Sequence, residues 1–301
     1  MKNSKMGLNS IFSVADEMKP GNGEDCHYYE STDDSFIIAA FDGLGGAGSR
    51  KYENYSGKTG AYVASRAICG AVKSWFCNDN TPQNLSAYLH QALSICEKYA
   101  DKTGRIMGSL GKSFPTTVAM LTAGIAKNQL DVTCYWAGDS RCYMLDSEGL
   151  HQLTEDDLND EDAMSNLTSD GIMTNVVSAS SGFDIHIKNF SVSNPCILFS
   201  STDGCFGYLH SPMEFEYILT NSLIKSRSIY EWKLLLDSIF QEIAGDDYTL
   251  CVAICGFKDF SSIQKYFKNR NSLVYNKYIN TNTDPNILWQ EYKSDYSVYL
   301  K

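Results

Sequence analysis

Apolar residues along this chain fall into two kinds of run, and their spacing separates strands from helices. Phe36–Phe41, Leu130–Ala137, Arg141–Leu145, Leu150–Leu153, Ile185–Val192, Cys196–Ser200 and Thr249–Gly256 are short and bounded by polar or glycine-bearing turns, which predicts strands. Cys26–Glu30 and Phe36–Phe41, joined by the polar turn Ser31–Asp34, read as a strand pair, and an earlier strand is expected near Ile11–Ala15. Gly57–Phe76 instead carries Val63, Ala64, Ala67, Ile68, Ala71, Val72, Trp75 and Phe76 at the spacing of one helical stripe. Pro82–Tyr99 repeats that pattern, with Leu85, Leu89, Ala92, Cys96 and Tyr99 on one face. Two further helices fit Met213–Lys225 and Tyr230–Glu242.

In the middle of the chain, Thr116–Ile125, the Lys127-Asn128 turn, Leu130–Ala137, Arg141–Leu145, the Asp146–Gly149 turn and Leu150–Leu153 predict a meander of strands. Strands and helices cluster in blocks rather than alternating, which points to an antiparallel α+β layer structure. From Phe257 the chain turns polar and rich in Tyr, Asn and Lys, with Ile263, Phe267, Leu273 and Leu288-Trp289 as apolar anchors. Residues 1–256 are therefore expected to form the main domain. Residues 257–301 are expected to be a C-terminal extension, helical in parts.

The 301 residues are 43% hydrophobic and 20% charged, the balance of a globular chain with a sizeable core. No apolar stretch approaches the roughly 20 residues that span a bilayer, so no membrane segment is expected. Met1-Lys-Asn-Ser-Lys-Met-Gly7 has charge but not the apolar core of a signal peptide, which leads us to expect a cytoplasmic protein. A net charge of −11 argues against nucleic acid as a partner and favours cations at a carboxylate cluster. The ten cysteines lie mostly in apolar segments and form no Cys-x-x-Cys, so they read as reduced core residues. The five histidines lie far from paired cysteines, which disfavours zinc.

Two glycine motifs invite a nucleotide and fail on detail. Gly43-Leu-Gly45-Gly46-Ala-Gly48 matches the dinucleotide pattern, but Asp42 precedes it and Gly60–Ala67 lacks the acidic residue that would hold a ribose. Ser49–Ser56 reads as a polar loop rather than a helix start. Gly57-Lys58-Thr59 lacks the earlier glycine of a phosphate loop, because Tyr52 stands there; Lys58-Thr59 is better read as the start of the first long helix.

Carboxylates at strand breaks carry more. Asp42-Gly43 follows Phe36–Phe41, and Asp203-Gly204 follows Cys196–Ser200. Asp25 follows Gly-Asn-Gly-Glu24, Asp139 lies in Gly138-Asp-Ser-Arg141, and Asp246-Asp247 precede the last strand. Singly, each could be a turn residue. Brought together at one rim, they would form an oxygen-rich cup for hard divalent cations.

In order, Glu24-Asp25, Phe41-Asp-Gly-Leu-Gly-Gly46, Thr116-Thr117, Trp136-Ala-Gly-Asp-Ser-Arg141, Gln152-Leu-Thr154, Ser201-Thr-Asp-Gly204 and Asp246-Asp-Tyr-Thr249 resemble the PP2C (PPM) metal-dependent protein phosphatases. The resemblance spans roughly residues 10–256. It implies a four-layer α-β-β-α sandwich of two antiparallel sheets flanked by helices, with two or three Mn²⁺ or Mg²⁺ ions at one end. By position, Asp42 would bridge two ions and the Gly43 carbonyl would bind one of them. Asp203 and Asp246 would hold the other, Glu24 and Asp25 would serve the Gly43 side, and Asp139 would shape a third position. The implied activity is hydrolysis of phosphoserine or phosphothreonine by a water that the metals activate. A phosphorylated protein substrate and a partner Ser/Thr kinase follow from it.

The chain departs from the family's pattern. The arginine that usually precedes the Glu-Asp pair is absent near Pro20, leaving Lys19 as the candidate phosphate ligand, with Arg50 a substitute from elsewhere. Leu44 follows Asp-Gly where some members have histidine, Pro115 replaces a glycine, and Asp247 takes the place of asparagine. The alternative implied by the missing arginine is a regulatory or scaffold protein that keeps the fold with little activity.

Overall fold

The computed structural model describes residues 6–101, 112–126, 128–160, 162–167 and 171–300. The start of the chain at residues 1–5, and Lys127 of the turn expected before Leu130, lie outside the described residues. In chain order the strands are β1 (Leu8–Asp16), β2 (Cys26–Ser31), β3 (Ser35–Phe41), β4 (Lys51–Tyr52), β5 (Lys58–Thr59), β6 (Val118–Ile125), β7 (Leu130–Ala137), β8 (Arg141–Leu145), β9 (Leu150–Gln152), β10 (His186–Val192), β11 (Cys196–Ser201) and β12 (Tyr248–Cys255). The helices are α1 (Gly60–Asn78), α2 (Leu85–Tyr99), α3 (Pro212–Lys225), α4 (Ile229–Ile243), α5 (Phe260–Val274) and α6 (Pro285–Tyr296).

Two five-stranded antiparallel sheets result, ordered β1-β12-β11-β8-β9 and β10-β7-β6-β3-β2. Strand alternation divides the core into three layers. In β12, Leu250, Val252 and Ile254 face α3–α6, while Cys251, Ala253 and Cys255 face the other sheet. In β3, Ile37, Ala39 and Phe41 face α1 and α2, while Phe36 and Ile38 face the sheet opposite. Full burial of each large side chain stabilises by about 1.5–3 kcal/mol. Both sheets are covered on both faces, giving the expected α-β-β-α order. Half of the cysteines (Cys134, Cys142, Cys196, Cys251 and Cys255) fill the layer between the sheets, where small apolar residues let two backbones approach.

Some local expectations need correction. The four middle strands are not one meander: β6-β7 is a hairpin of one sheet and β8-β9 a hairpin of the other. Gly138-Asp139-Ser140 carries the chain across, with Gly138 at φ +97° and no space for a Cβ, which would lie 2.8 Å from Thr117 Cγ2. Ser49–Ser56 is not a free loop, because Lys51-Tyr52 pairs with Lys58-Thr59 and Tyr52 stacks on Phe114 at 4.7 Å. Thr59 is instead the N-cap of α1, its hydroxyl accepting from Tyr62 N at 3.1 Å. On α2, Leu93 rather than Ala92 fills the buried stripe, and Tyr99 is 63% exposed.

Residues 257–300 pack as α5, a π-helical turn (Tyr275–Ile279) and α6. Ile263, Phe267, Leu288 and Trp289 are buried, but Leu273 is exposed and Val274 takes its place, seven residues after Phe267 on the same face. Tyr292 and Tyr296 are buried too, extending the stripe of α6. A buried fork, Arg270 to Glu216 at 2.6 and 2.9 Å, with Tyr292 Oη donating to the same carboxylate, ties both helices to α3.

Candidate active site

Strand register alone brings the predicted carboxylates to one rim. In one sheet Cys26 pairs with Phe41, Ala40 with Ala119 and Val118 with Ala137, so Asp25, Asp42, Thr117 and Gly138 leave at the same end. In the other, Ser201 pairs with both Leu250 and Arg141, which aligns Asp203, Asp246-Asp247 and Ser140. The two ends coincide, because Gly138–Ser140 crosses between them.

Hydrogen bonds fix the turns. The Asp42 carbonyl accepts from Thr117 N and Thr116 Oγ1, both at 2.8 Å, and Asp42 N donates to Thr117 Oγ1 at 3.0 Å. Thr117 Oγ1 also meets Ser140 Oγ at 2.7 Å, tying the Asp42 turn to the Asp139 turn. Thr202 Oγ1 donates to Asp25 Oδ2 at 2.7 Å and accepts from Thr249 N at 2.9 Å. A Cβ on Gly43 would stand 2.5 Å from the Ala61 carbonyl, so only glycine lets this turn lie against α1. Glu24 is held by the Thr59 hydroxyl.

Electrostatics show that these carboxylates oppose one another's ionisation. Asp42 is pushed well above the usual carboxylate range by burial and then by Asp203, Asp25, Asp139 and Asp246. Burial raises Asp25 as well, and Asp203 and Asp247 add to it against the Thr202 hydroxyl. Asp139 is raised to about 7 by burial, Asp203 and Asp156, and Asp203 to about 6 by burial and Asp246. Burial, then Asp247 and Asp246, lifts Glu24, with Lys19 and Thr59 opposing. The cation that acts on Asp139 and Asp203 is Arg141, and it is already spent on Asp156, at 2.6 Å in a fully buried pair. Asp139 Oδ1 is buried without a hydrogen-bond partner. A set of hard oxygens with surplus negative charge and an unpaired buried oxygen fits divalent cations. Among the described residues, no three His, Cys, Asp or Glu side chains meet in a geometry that would hold an ion. What converges is charge on fixed strand ends.

Two cavities open beside the rim. One of about 800 Å³ is lined by Leu44, Asp139, Arg141, Asp156, Asp203 and Phe206 among others. The second, of about 440 Å³, joins Glu24, Asp246 and Asp247 to Lys19, Lys51 and Lys58. Lys19 is exposed and lines the second cavity with Glu24, Asp246 and Asp247; Arg50 lines neither cavity and donates to the Asp101 carbonyl at 3.0 Å. Asp247 has a structural task, accepting Met18 N at 2.8 Å and Glu24 N at 2.6 Å. The sequence motifs include Thr117, Thr202 and Arg141 without giving them a role, they miss Asp156 and Lys51, and they bring in Lys58 only through the rejected phosphate-loop match. The acidic run Glu155-Asp156-Asp157 gives no local sign of its buried member.

No protein-family model and no curated protein matches the chain. Solved structures do. A bacterial serine phosphatase superposes with a TM-score of 0.59 at 17% identity, covering 82% of this chain and 98% of that one. The serine/threonine phosphatase Stp1 from Staphylococcus aureus gives 0.59 at 16%, covering 82% and 95%. The catalytic domain of PstP, in complex with two manganese ions, gives 0.54 at 15%, covering 84% and 99%. The chain has the PP2C fold. The PP2C-fold matches span nearly the whole of those solved chains and leave part of this one outside. Among the described residues, no helix of this PP2C-fold chain is long and apolar enough to cross a membrane.

Proposed function

We propose that this chain is a Mn²⁺- or Mg²⁺-dependent phosphatase acting on phosphoserine or phosphothreonine in proteins, and so serves phosphoprotein signalling opposite a Ser/Thr kinase. The observation that supports it is the burial of Asp25, Asp42, Asp139 and Asp203 at one rim, which, with the charge of neighbouring carboxylates, raises all four above the usual carboxylate range. Clustered like charges are held without a cation only at a cost to stability, and perturbed groups of this kind mark functional sites. In this reading Asp42, Asp203 and Asp246 are the metal-holding carboxylates, with the Gly43 carbonyl, Glu24 and Asp25 on one side and Asp139 at a third position. Bound there, the ions would supply Lewis acidity toward a phosphoryl group and lower the pKa of water. Lys19, with Lys51 and Lys58 on the same cavity, would receive the substrate phosphate as point charges rather than as an arginine fork.

The test is hydrolysis of p-nitrophenyl phosphate and of phosphoserine and phosphothreonine peptides by the full chain. Turnover should require Mn²⁺ or Mg²⁺ and vanish with EDTA; turnover indifferent to EDTA would sink the mechanism. A second reading, a PP2C-fold scaffold with little turnover, is favoured by one observation: the cavity beside Glu24 is lined by lysines and no arginine. It predicts metal binding by calorimetry with negligible hydrolysis, restored by Lys19→Arg.

A further inference from the structure

Helix α6 lies against the wall of the cleft over Asp139 and Asp203. Its buried residues Leu288, Trp289, Tyr292 and Tyr296 share one buried cluster with Ala163 and Met164, which belong to the long connection between β9 and β10. Trp289 Nε1 donates to both oxygens of Asp162, at 3.0 and 3.1 Å. Asp162 Oδ1 also accepts the amides of Met164 and Ser165, at 3.0 and 3.2 Å, so one carboxylate holds both the indole and the turn that follows it. Asn166 in that turn donates to Asp156 Oδ2 at 2.9 Å. Asp156 in turn grips Arg141 Nε at 2.9 Å and Nη2 at 2.6 Å. Asp156, Arg141, Asn166 and Leu167 all line the 800 Å³ cleft with Asp139 and Asp203. The hydrogen bonds therefore run from the C-terminal helix to Arg141, on the wall of the cleft that Asp139 and Asp203 also line. Burial resists ionisation of Asp162, but Trp289, the two amides and Lys293, whose ammonium lies 3.6 Å from Asp162 Oδ2, outweigh it and keep the carboxyl below its usual range.

We infer that α6 is a strap for the active-site cleft: the Trp289–Asp162 contact sets the turn at residues 162–167, and through Asn166 and Asp156 it sets the wall against which a phosphoprotein chain rests. Trp289 and Asp162 are positioning residues, since neither reaches the carboxylates. The inference rests on the phosphatase reading only for its kinetic consequence; the mechanical coupling is independent of it. A small aryl phosphate needs the rim alone, whereas a phosphopeptide also needs the wall, so the strap should separate the two substrates.

The experiment uses the full chain and Trp289→Phe, which keeps a ring in the pocket and removes the donor. Hydrogen–deuterium exchange should speed at Met164 and Ser165 by about tenfold, with β11 and β12 unchanged. With Mn²⁺, KM for a phosphoserine peptide should rise about fivefold, with kcat/KM for p-nitrophenyl phosphate held within about twofold. Asp162→Asn, which keeps an acceptor for the indole but loses the charge, should shift exchange and KM in the same sense by less, and stands in if Trp289→Phe fails to fold. Unchanged exchange at Met164 and Ser165, or equal losses on both substrates, would overturn the strap. Wild-type protein without metal-dependent turnover would remove the phosphatase reading, while the exchange result would still decide the strap.

Discussion

The Thr202 hydroxyl donates to Asp25 Oδ2 at 2.7 Å, and that bond crosses from the end of β11 in one sheet to the start of β2 in the other. Thr202 is fully buried and also accepts Thr249 N at 2.9 Å. One hydroxyl thus serves three strands and holds an acidic side chain in place. Thr202→Val keeps the shape and loses both bonds, taking one donor from the Asp25 carboxyl and the acceptor from Thr249 N. The expected loss is about 2 kcal/mol of stability, read as a lower urea midpoint, with weaker Mn²⁺ binding by calorimetry. Thr202→Ser should retain most of both.

That hydroxyl shows where sequence reading reaches and where it stops. Short apolar runs that end at Asp-Gly or Gly-Asp breaks are visible in the sequence, and on pattern alone they place Asp42, Asp139 and Asp203 at strand ends. Which strand belongs to which sheet is not visible: Gly138–Ser140 reads as a hairpin turn and is a crossover, because the pairing of β7 and β8 is decided by partners far along the chain. Helix phase misleads in the same way at Leu273, where a one-residue error trades an exposed position for the buried Val274. Tyr292 and Tyr296 look polar in a polar segment, yet their rings complete the stripe of α6. Asp156 cannot be told from its acidic neighbours without the buried Arg141 opposite it.

The Arg141–Asp156 pair gives a second prediction. Both side chains are only 2% exposed, and the guanidinium also lies 4.3 Å from the centre of the Phe206 ring. Removing one partner of a buried pair leaves the other charge uncompensated, which costs about 3–5 kcal/mol. Asp156→Asn should therefore lower stability by about 3 kcal/mol in urea unfolding. It should also weaken divalent-ion binding, because the freed Arg141 charge turns toward Asp139 and Asp203. Arg141→Met, which removes the cation instead, should be equally destabilising but should not weaken metal binding. Equal metal affinity in both variants would contradict this account.

Asp42→Asn should act in opposite senses on stability and on function. In the metal-free chain Asp42 is repelled by four carboxylates, so a neutral amide relieves that repulsion. The expected gain is roughly 1 kcal/mol, or about 1–2 °C in Tm for a chain of 301 residues. Addition of Mn²⁺ should raise the Tm of the wild type and leave the variant nearly unmoved. Metal-dependent hydrolysis should disappear in the variant. A variant that melts lower without metal would show that Asp42 is held by something other than this charge cluster.

His151 makes stability depend on pH at the far side of the molecule. Its Nε2 meets Asp146 Oδ1 at 3.1 Å and its Nδ1 meets the Asp295 carbonyl at 2.7 Å, so the charged ring ties β9 to the end of α6. Burial favours the neutral ring, but Asp146 and the Asp295 carbonyl outweigh it and raise the His151 pKa above 6.5. Burial also opposes ionisation of Asp146, and His151 with the amides of Glu148 and Gly149 reverses that, holding its pKa below 3.8. The signs then follow from proton linkage. A raised histidine contributes stability that is complete below its unfolded value of 6.5 and lost as pH climbs through the folded one. A depressed aspartate contributes above 3.8 and loses that as pH falls through its folded value. Stability from this pair is therefore greatest in the mildly acidic range and declines on the alkaline side of 6.5. Urea unfolding of the full chain across that range should show the decline, and His151→Gln, which cannot titrate, should flatten it. A decline of the same size in His151→Gln would place its origin elsewhere.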